Sequence, residues 1–250
     1  MPQDYRKAAE WYQKAADQGD AAAQFALALL YENGKGVAQN YVRAAELYQM
    51  AADQGGVTAQ SNLGLLYENG RGVQQNCKKA AELYKKAADR GDAAVQYRLG
   101  RLYENGSGVP QSYKTAAEWY QKAADRWDTS SQYSLGLLYA DGKGVPQNIK
   151  KAVQLLEAAS DRGHASAQHK LYLIYTRGEG VPKNPQRAAA FCRKAAEQGH
   201  AAAQYSLGWL YEDGIGVPQS NQKAMEWYQK AVVQGNGAAR TALDRLREKR

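Results

Sequence analysis

A 36-residue period constrains this chain more than any other feature. Gly-x-Gly-Val units start at Gly34, Gly70, Gly106, Gly142, Gly178 and Gly214, each step 36 residues with no insertion or deletion. Leucines recur in the same phase from Leu27 through Leu63, Leu99, Leu135, Leu171 and Leu207, with Leu243 in a final partial unit. Tyrosines follow at Tyr31, Tyr67, Tyr103, Tyr139, Tyr175 and Tyr211, and alanines at Ala8, Ala44, Ala80, Ala116, Ala152, Ala188 and Ala224. A fixed period of this length marks a stack of supersecondary units, none of which can bury its apolar face alone.

Each unit reads as two helices. Ala8-Ala9-Glu10-Trp11-Tyr12-Gln13-Lys14-Ala15-Ala16 and Gln60-Ser61-Asn62-Leu63-Gly64-Leu65-Leu66-Tyr67 both place apolar residues at i, i+3/i+4 and i+7. Asp4, Asn40, Asn76, Ser112, Asn148, Asn184 and Ser220 share one repeat position, and all are preferred N-caps. Pro185 follows Asn184, where its missing N–H costs nothing. Gly19, Gly55, Gly91, Gly163, Gly199 and Gly235 read as left-handed stops of one helix, and Gly34 with its equivalents as stops of the other. The Gly-x-Gly-Val loops follow helices and not strands, so turn geometry explains them better than phosphate binding. The expectation is fourteen helices of about a dozen residues.

The residues resemble the Sel-one-like repeat family, a relative of the tetratricopeptide repeats. The likeness rests on Ala-x-x-x-Leu-Gly-x-x-Tyr-x-x-Gly-x-Gly-Val followed by Lys-Ala-x-x-Trp-Tyr-x-Lys-Ala-Ala-x-x-Gly, nearly complete over residues 57–92. It implies an all-α fold, a right-handed α-solenoid (superhelix) of about seven stacked helix-turn-helix repeats. The whole chain, residues 1–250, reads as a single solenoid with repeats 21–56, 57–92, 93–128, 129–164, 165–200 and 201–236 and half-repeats 1–20 and 237–250. It further implies a non-enzymatic interaction scaffold of bacterial type, with adaptor, host-factor binder and toxin-neutralising partner all suited to it. Some relatives bridge the helices of every repeat with paired cysteines. Cys77 and Cys192 here are more than three repeats apart and read as small packing residues.

By analogy with tetratricopeptide repeats, the Leu-Gly-x-x-Tyr helices should line a concave face. Positions beside their core stripe differ between copies: Phe25, Ser61, Tyr97, Tyr133, His169, Tyr205; then Ala26, Asn62, Arg98, Ser134, Lys170, Ser206; then Leu29, Leu65, Arg101, Leu137, Leu173, Trp209. Tyr97, Tyr133, His169, Tyr205 and Trp209 are thus candidate partner contacts, aromatic types that favour binding hot spots. Arg98, Arg101, Lys170 and Arg177 would make a positive interior suited to acidic side chains or a free C-terminal carboxylate. The competing reading is that these aromatics only pack between repeats. Trp127 stands where six other copies have Gly. A bulky residue with positive φ is an outlier, so this turn is expected to adopt another geometry. Its indole is either a contact site or a lid folded over the neighbouring helix.

Little points to catalysis. His164, His169 and His200 are too few and too poorly spaced for a metal site, and His164 and His200 sit where a helix starts. Glu32, Glu68 and Glu104 read as a solvated stripe, no acid/base pair stands out, and no cofactor is implied. With 33 Lys+Arg against 25 Asp+Glu the chain carries +8, which makes nucleic acid the rival partner. The cations are spread over the repeats, commonly opposite the apolar stripe, with one short basic cluster at 245–250, so a solvated surface is the reading taken. No apolar run is long enough to span a membrane. Met1-Pro2-Gln3-Asp4-Tyr5 is not a secretory signal as it stands, which leaves the compartment open. Because Met1-Pro2-Gln3-Asp4 copies the inter-repeat linker, the chain reads as part of a longer array or a short natural form.

Overall fold

The computed structural model describes residues 4–248. The linker-like Met1-Pro2-Gln3 and the Lys249-Arg250 end of the basic cluster lie outside them. Among the described residues there are fourteen α-helices and no strand. Two compact units divide the chain after Asp128. The first holds α1 (Tyr5–Asp17), α2 (Ala21–Asn33), α3 (Tyr41–Asp53), α4 (Val57–Asn69), α5 (Cys77–Ala88), α6 (Ala93–Asn105) and α7 (Tyr113–Ala124). The second holds α8 (Thr129–Asp141), α9 (Ile149–Asp161), α10 (Ala165–Arg177), α11 (Pro185–Glu197), α12 (Ala201–Asp213), α13 (Asn221–Val233) and α14 (Gly237–Glu248). Within each unit, successive hairpins stack in solenoid fashion.

The helix ends form where the sequence places them. All seven residues of the Asp4 series cap odd-numbered helices, their side chains accepting from a backbone N–H three residues on. Gly70 closes α4 at φ 68°, its N–H bonded to the Leu66 carbonyl, as a left-handed cap requires. The second glycine of each loop does a different job. A Cβ on Gly72 would overlap the Tyr41 backbone and one on Gly108 the Cys77 backbone. Each loop therefore rests directly on the first turn of the preceding odd helix.

Glycines and rings also pack closely inside three of the hairpins. A Cβ on Gly64 would lie 2.6 Å from the Tyr84 ring, one on Gly100 2.6 Å from Tyr120, and one on Gly208 2.5 Å from Tyr228. Tyr48, Tyr84, Tyr120 and Tyr228 are all fully buried. A buried phenol needs a hydrogen-bond partner, and one turn beyond the glycine a glutamate supplies it. The Tyr48 hydroxyl donates to Glu32 (2.5 Å), Tyr84 to Glu68 (2.7 Å), Tyr120 to Glu104 (2.5 Å) and Tyr228 to Glu212 (2.8 Å). The glutamates are half-buried acceptors, which corrects the expectation of a solvated stripe. Where the tyrosine is replaced, so is the glutamate: Leu156 goes with Ala140, and Cys192 with Thr176. In the Cys192 copy the bulk changes helix, since Tyr172 stands where the others have Gly or Ala. Cys192 is fully buried with its thiol pushed up to about 12 by burial, a packing residue as expected.

Buried glutamines tie hairpin to hairpin. The Gln60 amide donates to the Ala52 carbonyl and that of Gln96 to Ala88, with Gln168 and Gln204 repeating the bond to Ser160 and Ala196. The closing glutamine of the following odd helix then donates to the buried one, Gln54 to Gln24 and Gln234 to Gln204, each at 2.8 Å.

Trp127 overturns one expectation. It keeps the glycine geometry, with φ 63° and its N–H donating to the Ala124 carbonyl at 2.9 Å, as Gly19 donates to Ala16. The Asp128 N–H then bonds the Ala123 carbonyl, as Asp20 does Ala15. Added Cβ atoms at Gly19, Gly55, Gly199 and Gly235 meet nothing within 4 Å, so this turn has room for a side chain and exacts only the torsional cost. The indole is 64% exposed.

Two stability measurements test this packing. Gly64→Ala should destabilise by about 1–3 kcal/mol through overpacking. Combined with Tyr84→Cys, it should cost less than the two single changes added together; additive melting data would show that the ring and the glycine are not coupled. Trp127→Gly should raise stability by roughly 0.5–1 kcal/mol, the left-handed cost less the extra chain entropy of glycine. A lower melting temperature would mean that the indole stabilises the turn.

Candidate functional site

The even helices carry the candidate residues on their half-exposed flank, because their core stripe already occupies the opposite positions. In the first unit, α6 presents Tyr97, Arg98 and Arg101 within two turns. Tyr97 lies on buried Tyr120 with ring centres 5.7 Å apart, just as Phe25 lies on Tyr48 and Tyr205 on Tyr228. These rings are half-buried and held against the core. Arg98 is half-buried beside the Tyr84 hydroxyl, whose pKa burial drives upward and Arg98 eases back. Arg101 is exposed.

In the second unit, aromatic side chains collect at the starts of α8, α10 and α12. Tyr133 stacks on His164 at 4.6 Å, and His169 lies 5.6 Å from Tyr172 and 4.8 Å from His200. His164 and His200 serve as N-caps, each Nδ1 accepting from the backbone N–H of Ala167 or Ala203. That is the helix-start role expected for them. The pairing of His169 with His200 has no counterpart in the sequence pattern, which marks His200 as a helix start and His169 as a flank position. Burial and the facing His200 hold His169 down at about 4, and burial also lowers His200. Among the described residues no group of three His, Cys, Asp or Glu side chains converges to hold a metal.

Two clefts open in this unit. One, of about 620 Å³, is lined by Lys170, Ile174 and Arg177 of α10 together with Asp141, Ile149 and Glu179. It brings two of the four expected cations together, but it is not the purely positive interior anticipated: Arg177 lies 3.9 Å from Glu179. The other, of about 550 Å³, joins Tyr205 and Trp209 of α12 to Tyr228 and α14. Glu212 forms its floor, accepting from Tyr228 at 2.8 Å and from Arg245 at 2.6 Å. Trp127 belongs to neither cleft, standing at the turn after α7.

Some of the cations spread over the repeats lie at the loops. In the first unit Lys35 of one loop covers the Tyr5 ring at 5.4 Å, and Arg71 of the next covers Tyr41 at 5.8 Å. Cations from the loops and from the first turns of odd helices thus meet at one edge. No helix of the described residues is long and apolar enough to cross a membrane.

The Sel1 repeat family model matches residues 1–20, 21–56, 57–92, 93–126, 129–164, 165–200 and 201–236. The fourth match stops at Arg126, just before the aberrant Trp127. Among solved structures, an SLR-fold protective antigen, c5321, of uropathogenic Escherichia coli is 35% identical with a TM-score of 0.89, covering 95% of this chain and 51% of that one. The chain therefore spans about half the length of that relative. A Sel1 repeat protein from Oxalobacter formigenes is 31% identical with a TM-score of 0.79, covering 92% and 94%. Immunity protein Pa5087 of Pseudomonas aeruginosa is 22% identical with a TM-score of 0.50, covering 85% and 81%, a likeness of fold alone. No curated protein matches the chain.

The histidine pair makes stability depend on pH. A pKa lowered by folding means that the unfolded chain takes up protons first, so stability present at pH 7 is lost as pH falls from about 6.5 towards 4. Protonation at Nδ1 would also remove the acceptor that caps α12. Melting temperature should fall across this window, and His169→Gln should flatten the fall. Parallel curves for the two proteins would rule the pair out as its source.

Proposed function

The chain belongs to the Sel1 repeat family, and on that premise we propose that it is a non-enzymatic scaffold holding a protein or peptide partner on the open flanks of its even helices. Sel1 repeat proteins generally mediate protein–protein interactions and are typically non-catalytic. One observation carries the assignment to these flanks. Core positions such as Leu63, Leu99, Leu135 and Leu171 are the same in every copy, while the neighbouring open positions run through Ser61, Tyr97, Tyr133, His169 and Tyr205. Packing alone fixes the first set; it does not require the second to vary between copies.

The chemistry on offer suits recognition. Tyr97, Tyr205 and Trp209 give rigid ring faces already held by the core, so ordering them on binding costs little entropy. Arg101, Lys170 and Arg177 offer cations for carboxylates of a partner, and Asp141 and Glu179 beside the latter two add selectivity. Trp127 stands apart as an exposed ring of the type favoured at hot spots.

Photo-crosslinking tests this reading. A benzophenone amino acid replaces Arg101, Trp209 or, as a control, the exposed Glu82 of α5, and each protein is irradiated in an extract of its source. A discrete protein adduct should form from positions 101 and 209 and not from 82. Adducts from position 82 only, none at all, or nucleic acid in place of protein would each defeat the proposal.

A further inference from the structure

We propose that the loop edge of the first unit is a docking surface for an acidic, extended segment of a partner protein. This rests on the scaffold reading above and names the partner chemistry for a surface which that reading leaves out. The edge is built by the Gly-x-Gly-Val loops, which lie on the first turns of the odd helices: Gly36 on the backbone of Tyr5 and Arg6, Gly72 on Tyr41 and Val42, Gly108 on Cys77 and Lys78.

Six cations share it: Arg6, Lys35, Arg71, Lys78, Lys79 and Lys114. Among the described residues none of them forms an ion pair with a carboxylate, in contrast to Lys7 with Asp4 and Arg43 with Glu46. Lys35, Arg71 and Lys79 lie over the rings of Tyr5, Tyr41 and Tyr67, which holds their charged ends at the surface. The carboxylates that could neutralise the edge are engaged. Glu32, Glu68 and Glu104 accept from buried tyrosines, and the helix ends beside them carry neutral Asn33, Asn69 and Asn105. The second unit differs, with Asp141 and Asp213 at the matching helix ends and Glu179 in a loop.

Local stability does not explain this charge. Cations in a first turn oppose the helix dipole, and α1, α3, α5 and α7 have no acid there to offset them. The carbonyl ends of α2, α4 and α6 reach the same edge and relieve part of the cost, yet they do not call for further cations in the loops. A row of unpaired charges repeated along consecutive copies matches a chain that repeats its own negative charge, and carboxylates are the ligands that guanidinium groups hold bidentately.

The test uses the full chain and a fluorescein-labelled twelve-residue poly-glutamate, with binding read by anisotropy against salt. Binding is expected to weaken with salt. The triple change Arg71→Glu, Lys78→Glu and Lys114→Glu should lower affinity by about tenfold or more, one decade for each 1.4 kcal/mol of lost attraction. The triple Lys85→Glu, Lys86→Glu and Lys122→Glu alters net charge equally at the other ends of the same helices and should change affinity by less than about twofold, as remote charges are screened. Neutral Gln versions of both sets repeat the comparison where charge reversal unfolds the protein. Equal losses in the two sets would mean that net charge alone attracts the probe, and no binding would remove the surface. A single-stranded oligonucleotide of the same length that binds more tightly would reassign the edge to nucleic acid; each of these outcomes overturns the proposal. Adducts from positions 101 and 209 with no poly-glutamate binding would leave the scaffold standing without this edge.

Discussion

A large side chain lying against a small residue of the facing helix is the contact on which the hairpins depend. Gly64 with Tyr84 and Gly100 with Tyr120 bring two helix backbones closer than any pair of ordinary side chains allows. The ring fills the space without a void, and its hydroxyl reaches just past the apolar layer to a glutamate one turn away. Burial and that hydrogen bond both drive the phenol's pKa upward, so it stays a donor throughout the physiological range. The hairpin is thus fixed by volume and by a single donor–acceptor match together.

Most of the fold is legible in the sequence, because caps and stops obey local rules. An Asn at position 76 caps α5 and a Gly at 70 ends α4 for reasons contained within a few residues. The tyrosine–glutamate pairs escaped because they join positions 16 apart across a turn, where helical periodicity says nothing. The signal was nonetheless present: Leu156 and Cys192 lack the hydroxyl, and Ala140 and Thr176 lack the carboxylate. The Trp127 turn was misjudged for a different reason. Residue preference does not set the geometry there: two backbone hydrogen bonds at the end of α7 hold it, and the matching Gly19, Gly55, Gly199 and Gly235 show that such a turn can leave room for a Cβ.

The candidate site was legible as a set of positions but not as groupings. Lys170 with Arg177 and Tyr205 with Trp209 share clefts, while Tyr97, Arg98 and Arg101 lie along one helix of the other unit. Sequence counting gave the charge but not its collection at an edge, since Arg6 and Lys35 are far apart until Gly36 brings the loop down on Tyr5. The histidines show the same limit. Their number argued against a metal, and their pairing across successive helices appeared only once α10 and α12 were side by side.

The exchange of bulk between Tyr172 and Cys192 bears on how such an array can lengthen or shorten. Both residues lie within 165–200, as Gly64, Glu68 and Tyr84 all lie within 57–92. A recombination event that copies or deletes a whole unit in this frame carries matched partners with it. A crossover inside a unit would set two large rings against each other, or leave a thiol facing a bare backbone. The interlocking of side chains thus defines the inheritable module, and the frame in which the family model divides the chain is the one its steric contacts enforce.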